Sequence, residues 1–135
     1  MPRQVRARTV SRSEARAYLA KADQYLAAAA DSLSADRTVA ATSLAIHAAI
    51  NAADAVTGAR LGSRAAGDDH NAAVTLLGYA GPDGAAVAKE LTRLLPLKTR
   101  AEYDPDDVPA STARRAVDQA LRSVAAAHRT ITSLS

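Results

Sequence analysis

The sequence predicts an all-α fold, an antiparallel bundle of four to five helices. Of its 65 hydrophobic residues, 35 are Ala and 25 are Leu, Val or Ile, and there is no Phe or Trp. Ala has the strongest intrinsic preference for helix, and a core of such small side chains requires helices that approach closely. Apolar residues recur at helical spacing, and no alternating run predicts a strand. The 135 residues are enough for one domain with its own core.

The first helix is predicted to begin at residue 11 and to end near residue 33. Ser11 and Glu14 have the spacing of a capping box, in which the hydroxyl and the carboxylate each accept a hydrogen bond from a backbone N–H at a helix start. Leucines then recur every seven residues, at positions 19, 26 and 33, which gives the helix one apolar face.

The second helix is predicted to pair antiparallel with the first. Ser34 or Asp36 provides its N-terminal cap, and Gly58 provides its end. Between them an apolar face is formed by Val39, Ile46, Ile50, Ala53 and Val56. Residues 58–69 contain three glycines and no periodicity, so we expect a long loop of the kind that often carries function.

Three further segments complete the predicted bundle. Asp68 or Asp69 caps a short third helix, and a fourth helix follows the Gly-Pro pair at residues 81–82 until Pro96 kinks or ends it. The stretch from Lys98 to Pro109 is expected to start as a loop, and Ser111 restarts a helix. The apolar face of this last helix comprises Val117, Leu121, Val124, His128 and Ile131.

The net charge of +3 is located in the first sixteen residues. These hold five arginines and one glutamate, a balance of +4, so the remaining residues sum to −1. We therefore expect two parts, a flexible basic arm over residues 1–10 and a single helical domain over residues 11–135. The arm is either a free tail or a contact for nucleic-acid phosphates.

Composition also excludes several classes of function. The chain has no Cys, which excludes disulfides, thiolate catalysis and Cys-ligated metal sites. No apolar run approaches the length of a membrane span, and the Arg-rich start lacks the apolar stretch of a secretory signal. We expect a cytoplasmic protein that needs no cofactor and no membrane.

Four polar residues share one face of the second helix. Ser43, His47, Asn51 and Asp54 are spaced by four, four and three residues. This polar seam is either a solvated face or a groove in which His47 serves as an acid or base and the other three contact a ligand. His, Asn and Asp here lack a third strong ligand, so we expect no metal site.

A second group of candidate residues follows the fourth helix. Arg100 and Tyr103 are three residues apart, with Lys98 beside them, and such a group could hold a phosphate and stack a base of single-stranded RNA. Cations near a helix C-terminus also occur simply as partners of the helix dipole. His70, next to Asp69, either completes a capping turn or contacts a ligand.

The order of these segments resembles the HEPN family, the higher-eukaryote and prokaryote nucleotide-binding helical bundles. The resemblance extends from about Glu14 to Ile131. It depends on the Ala-rich opening helix, on Ser43-Leu-Ala-Ile-His47 continuing to Asp54, on Gly67-Asp-Asp-His70, and on Lys98-Thr-Arg-Ala-Glu-Tyr103. It implies a helical bundle that is often a homodimer and that occurs in toxin–antitoxin and other defence systems.

The resemblance also implies an activity and its residues. Many HEPN members are metal-independent endoribonucleases whose signature is Arg followed by His after four to six residues. By family position Arg100 is the motif Arg, and no His follows it before His128. If RNA is cleaved, Arg100 would stabilise charge, and His47 or His70 would be the acid or base. Tyr103 would position the substrate.

Two other functions are compatible with the same residues. The chain could be a non-catalytic homodimeric module that docks a cognate antitoxin or a nucleotidyltransferase-like protein. It could also be a small-ligand-binding bundle in which the polar seam lines the pocket.

Overall fold

The computed structural model describes residues 6–67 and 70–134, which form six helices and one two-stranded sheet. In chain order the elements are β1 (Ala7–Thr9), α1 (Arg12–Ser34), α2 (Thr38–Leu61), β2 (Ser63–Ala65), α3 (His70–Leu77), α4 (Gly81–Leu94), α5 (Pro96–Glu102) and α6 (Ala110–Ser133). The predicted all-α helical bundle is confirmed, with a small sheet that the sequence did not predict. The predicted caps Asp68 and Asp69 lie outside the described residues.

Helix α2 lies at the centre of the bundle and packs against the other five helices. Its small side chains are buried nearly all round, at Ala41, Ala45, Ala48, Ala49, Ala52, Ala53 and Ala55. Because these residues project little, α1 and α6 can both pack closely against α2, and they also contact each other. By length and composition alone α2 could span a membrane, but 56% of its most apolar window is buried inside the protein, as in a core helix.

The capping box predicted for α1 is confirmed. The Glu14 N–H donates to Ser11 Oγ at 3.1 Å, and the Ser11 N–H donates to Glu14 Oε1 at 2.9 Å. Hydrogen bonding from Ser11, chiefly through its backbone N–H, stabilises the carboxylate and holds the pKa of Glu14 below its ordinary value.

The predicted boundaries of α2 were wrong at both ends. Its N-cap is Arg37, while α1 continues through Ser34 and Asp36 adopts a φ of 59° in the short turn between the helices. At the other end, α2 continues past Gly58 and ends at Gly62, whose φ of 68° is the left-handed conformation that favours glycine.

Gly58 has a packing role instead of ending the helix. A Cβ atom at this position would lie 2.6 Å from Val10 Cγ1, so only glycine allows α2 to approach this close. Val10 is only 5% exposed, and its N–H donates to the Gly62 carbonyl at 2.9 Å. The chain before α1 is therefore packed onto the end of α2.

The small sheet changes the expectation for the basic arm. Strands β1 and β2 pair antiparallel, with Arg8 opposite Arg64, so Ala7–Thr9 and Val10 belong to the folded body. The expected 58–69 loop contains the last turn of α2 and all of β2. Residues 1–5 of the predicted arm lie outside the described residues.

The segment after α4 also differs from the prediction. Pro96 follows the end of α4 and begins α5, so Lys98 and Glu102 lie on a helix and not in a loop. Proline is well accommodated at the first helical position because its missing N–H has no partner there. Helix α6 then starts at Ala110, and its His128 is exposed and pairs with Asp23 at 2.8 Å.

Candidate functional site

Three polar side chains, two from α2 and one from α5, meet at the carboxylate of Glu102. Its Oε1 atom lies 3.2 Å from His47 Nε2 and accepts a hydrogen bond from Ser43 Oγ at 3.3 Å. Its Oε2 atom accepts a hydrogen bond from Lys98 Nζ at 2.8 Å. We call Ser43, His47, Lys98 and Glu102 the polar cluster. The polar cluster thus contains Ser43 and His47 of the predicted polar seam together with Lys98, which the sequence predicts as an RNA contact.

Two aromatic rings extend the polar cluster. The Tyr25 ring of α1 stacks on the His47 imidazole, with 5.4 Å between centroids and 30° between planes. On the other side, Lys98 Nζ lies 5.7 Å from the centre of the Tyr103 ring. Tyr103 is 73% exposed, so most of its ring is available for stacking with a base.

The charges in the polar cluster keep Glu102 ionised, and Glu102 in turn favours one tautomer of His47. The hydrogen bond from Lys98, together with the charges of Lys98 and His47 and the Ser43 bond, holds the pKa of Glu102 below its ordinary value against the effect of burial. Glu102 is therefore a carboxylate at neutral pH. A carboxylate beside Nε2 favours the proton on that nitrogen, which leaves the Nδ1 lone pair of His47 to accept a proton from a substrate.

A surface groove of about 550 Å³ adjoins the polar cluster. Ser43 and Glu102 line it, and its remaining charged residues are Asp36, Arg37 and Asp107. We call it the acidic groove. Three carboxylates against one arginine disfavour phosphate groups inside the acidic groove, whose lining does not include Lys98.

The second half of the predicted seam does not join the polar cluster. Asn51 Nδ2 donates to the His47 carbonyl one turn earlier, at 2.8 Å. Asp54 is half-buried, and this burial raises the pKa of its carboxyl to about 6 against the opposing charge of Arg64. Arg64 in turn lies 5.6 Å from the centre of the Tyr18 ring. These contacts connect α1, α2 and β2 and serve the fold.

Arg100 lies on the opposite side of α5 from the polar cluster. It follows Lys98 by two residues and precedes Glu102 by two, which places it about 200° around the helix from each. There it lines a different groove, of about 360 Å³, with Arg93, Leu97, Thr112, Arg115 and Gln119. We call this the arginine groove. His70, the first residue of α3, lines neither groove.

Sequence reasoning missed three residues that organise these surfaces. Glu102 could have been found, because it follows Lys98 by four residues and such spacing pairs side chains on a helix. Tyr25 stands directly before Leu26 of the leucine repeat, so the sequence predicts a packing role for it on the apolar face of α1. Arg115 lies on a helix whose neighbours the sequence does not specify.

No group of three or more His, Asp or Glu suited to a metal ion occurs within residues 6–67 and 70–134. A scan against protein-family models and a search of curated proteins each find no match to this chain.

Proposed function

We propose that the protein is a HEPN-like helical bundle that binds RNA or a nucleotide at the polar cluster and Tyr103. The observation that supports this most directly is the convergence of His47, Lys98 and Glu102 beside a ring that is three-quarters exposed. A base would stack on Tyr103, and Lys98 would contact the adjoining phosphate or sugar.

The same arrangement supports metal-independent cleavage of RNA. His47 Nδ1 would take the proton from a ribose 2′-hydroxyl, while Glu102 beside Nε2 holds the ring in the required tautomer. The 2′-oxygen would then attack the adjoining phosphorus and the P–O5′ bond would break, which leaves a 2′,3′-cyclic phosphate. The leaving 5′-oxygen would take its proton from water or from the protonated His47. Lys98 and His47 contact the two oxygens of the same carboxylate, Glu102. The Lys98 ammonium group would offset the charge that develops on the phosphate.

Binding is tested with a fluorescein-labelled single-stranded oligoribonucleotide and fluorescence anisotropy. Because loss of a stacking ring costs about 1–3 kcal/mol per base, Tyr103→Ala should weaken binding by about tenfold. Tyr79→Ala is the matched control, since Tyr79 is also exposed but is not part of the cluster. Equal affinities for the two variants and the wild type would exclude Tyr103 as the stacking platform.

Catalysis is tested by digestion of RNA in the presence of EDTA. His47→Ala should abolish cleavage. Arg100→Ala should leave the single-turnover rate at saturating RNA within a few-fold, because Arg100 faces away from His47 and would act on binding alone. The family position assigns Arg100 to catalysis instead. Cleavage that depends on Arg100 and not on His47 would support that assignment and contradict ours.

A toxin–antitoxin or other defence setting, a cytoplasmic location and a homodimer complete the proposal. Light scattering at tens of micromolar measures the mass, and a monomer would contradict the homodimer. The second candidate function is a non-catalytic module that docks an antitoxin or a nucleotidyltransferase-like protein. Leu121, a large apolar side chain that is 54% exposed on α6, is a residue that such a partner would cover.

A further inference from the structure

The arginine groove combines side chains from three helices. Arg93 comes from α4, Arg100 from α5 and Arg115 from α6, and no carboxylate lines the groove with them. Thr112 and Gln119 add a hydroxyl and an amide that can donate hydrogen bonds. Three cations brought together without a carboxylate among them repel one another, so an anion in the groove would relieve this repulsion.

Within the described part of the chain, two other arginines of α6 have acidic partners, unlike Arg115 and the exposed Arg114. Arg122 Nε donates to Glu90 at 2.6 Å, and Arg129 pairs with Asp83 at 3.3 Å. Among the described residues, no hydrogen bond or ion pair involves the three groove arginines. Glu90 on α4 already accepts two bonds from Arg122, and the charge of Asp118 acts on Arg122 as well.

The helix dipole does not explain all three arginines. Arg93 and Arg100 lie in the last turns of α4 and α5, where a cation is favourable. Arg115 is the sixth residue of α6, in the N-terminal half of a 24-residue helix, where the dipole gives a cation no such benefit. Its position in the groove therefore requires another reason.

We propose that Arg93, Arg100 and Arg115 form a binding site for consecutive phosphate groups, separate from the polar cluster. Guanidinium groups match phosphate oxygens in pairs, and a groove of about 360 Å³ can accept a diphosphate. The identity of the phosphate carrier, RNA or a nucleotide, rests on the proposed function. A strand that contacts both sites would have to pass around α5, with its backbone on the arginines and a base on Tyr103.

The test compares two double variants with the same change in net charge. Arg93→Ala with Arg115→Ala removes a cation from α4 and one from α6 inside the groove. Lys89→Ala with Arg114→Ala removes exposed cations from the same two helices outside it. All four side chains are on the surface, so thermal melts of both variants should match the wild type within a few degrees.

Three probes separate the possible carriers, namely inorganic pyrophosphate, ADP and a labelled oligouridylate. The groove variant should lose at least about tenfold in affinity for each probe that the wild type binds, because each arginine makes charge-assisted bonds. For the oligouridylate, the slope of log affinity against log salt should flatten by about 1.4, or about 0.7 for each phosphate that is no longer neutralised. The control variant should change affinity by less than about threefold, since its cations contribute only a screened field.

The possible outcomes distinguish a failure of the phosphate site from a failure of the proposed function. Equal losses in the two double variants, or no binding of any probe by the wild type, would overturn the phosphate site. Loss in the groove variant with unchanged binding by Tyr103→Ala would support the phosphate site and contradict stacking at Tyr103. Binding of the oligouridylate alone would identify an RNA backbone, and binding of ADP and pyrophosphate as well would identify a nucleotide.

Discussion

The Nε2 atom of His47 lies 3.2 Å from Glu102 Oε1, and this contact joins the central helix to the short helix α5. Lys98 holds the other oxygen of the same carboxylate. One carboxylate thus fixes both the ring of a candidate acid–base residue and the position of a candidate phosphate contact. The side chains of α5 on this face are held by polar bonds, while its other face carries Arg100.

We expect Glu102→Gln to reduce the stability of the protein at neutral pH. The pKa of Glu102 in the folded protein is below its ordinary value of 4.5, mainly because Lys98 donates to it. The contribution to the free energy of unfolding is therefore present above about pH 4.5 and is lost as pH falls through the lower folded value. Urea unfolding at pH 3, 4, 5 and 7 measures this dependence.

The control for this prediction is the same comparison of wild type and Glu102→Gln at a pH below 4. There the wild-type carboxyl becomes protonated, so the two proteins should approach the same free energy of unfolding. A difference of about 1 kcal/mol at pH 7 is expected for a partly exposed pair with one good hydrogen bond. A difference that stays constant down to pH 3 would contradict the ionic account.

Asp54 should make the free energy of unfolding depend on pH in the opposite direction. Burial raises the pKa of its carboxyl from 3.8 to about 6, so the folded protein binds more protons than the unfolded chain between these values. Stability should therefore fall as pH rises from about 4 to about 6, and remain lower above that range. Asp54→Asn should remove this slope and raise the free energy of unfolding at pH 7 by up to about 3 kcal/mol, the equivalent of two pKa units.

Arg64 opposes this gain, because its charge favours the Asp54 carboxylate. Arg64→Gln should therefore destabilise the wild type at pH 7 more than it destabilises Asp54→Asn. If Asp54→Asn unfolds with the same pH dependence as the wild type between pH 4 and 6, Asp54 is not the group that titrates.

Local patterns in the sequence predicted local structure well. The capping box of Ser11 and Glu14 starts α1 as expected, because both partners lie within one helical turn and need no distant element. The all-α class followed from composition for a similar reason, since helix propensity acts residue by residue.

Features that depend on distant contacts were not predicted. Gly58 looked like a helix end, but its role is set by Val10, which lies 48 positions earlier in the chain. On α6, large residues suggested an apolar face that includes Leu121 and His128, and both are exposed. Val117 and Val124 of this face are buried as predicted, and the other buried apolar residues of α6 are alanines, because helices that pack closely have room only for small side chains.

The candidate site was predicted in parts for the same physical reason. Ser43 and His47 are one turn apart on α2, and Lys98 and Glu102 are one turn apart on α5, so each pair is visible in the sequence. The sequence does not specify which faces of α2 and α5 meet. Arg100 was therefore grouped with Lys98 although the helix places them on different sides.

Gly58→Ala should destabilise the protein although Ala is the better helix former by about 1 kcal/mol. The new Cβ would lie 2.6 Å from Val10 Cγ1 and 3.3 Å from Ala15 Cβ. Val10 cannot easily withdraw, since its N–H is bonded to the Gly62 carbonyl. Overpacking of this kind costs about 1–3 kcal/mol, which urea unfolding would detect.

A double-mutant cycle with Val10→Ala tests the cause. Removing the Val10 methyl groups makes room for the new Cβ, so Gly58→Ala should cost less in the Val10→Ala background than in the wild type. Additive effects would mean that Gly58 and Val10 are not in contact, and that residues 7–10 are not packed on α2 as described.

The Arg122–Glu90 pair should be asymmetric when it is broken. Glu90 is 7% exposed and accepts bonds from Arg122 at 2.6 and 3.4 Å, while the Arg122 side chain is 55% exposed. Arg122→Ala leaves a buried carboxylate unpaired and should cost about 2–3 kcal/mol in the free energy of unfolding. Glu90→Gln leaves only a solvated arginine and should cost about 1 kcal/mol.

Arg129→Ala provides the matched control on the same helix, because its partner Asp83 also accepts a bond from Thr130 and is more exposed. That loss should stay below about 1 kcal/mol, as for surface pairs in general. Urea unfolding at pH 7 ranks the three variants, and the asymmetry would be refuted by an Arg122→Ala loss no larger than that of Glu90→Gln.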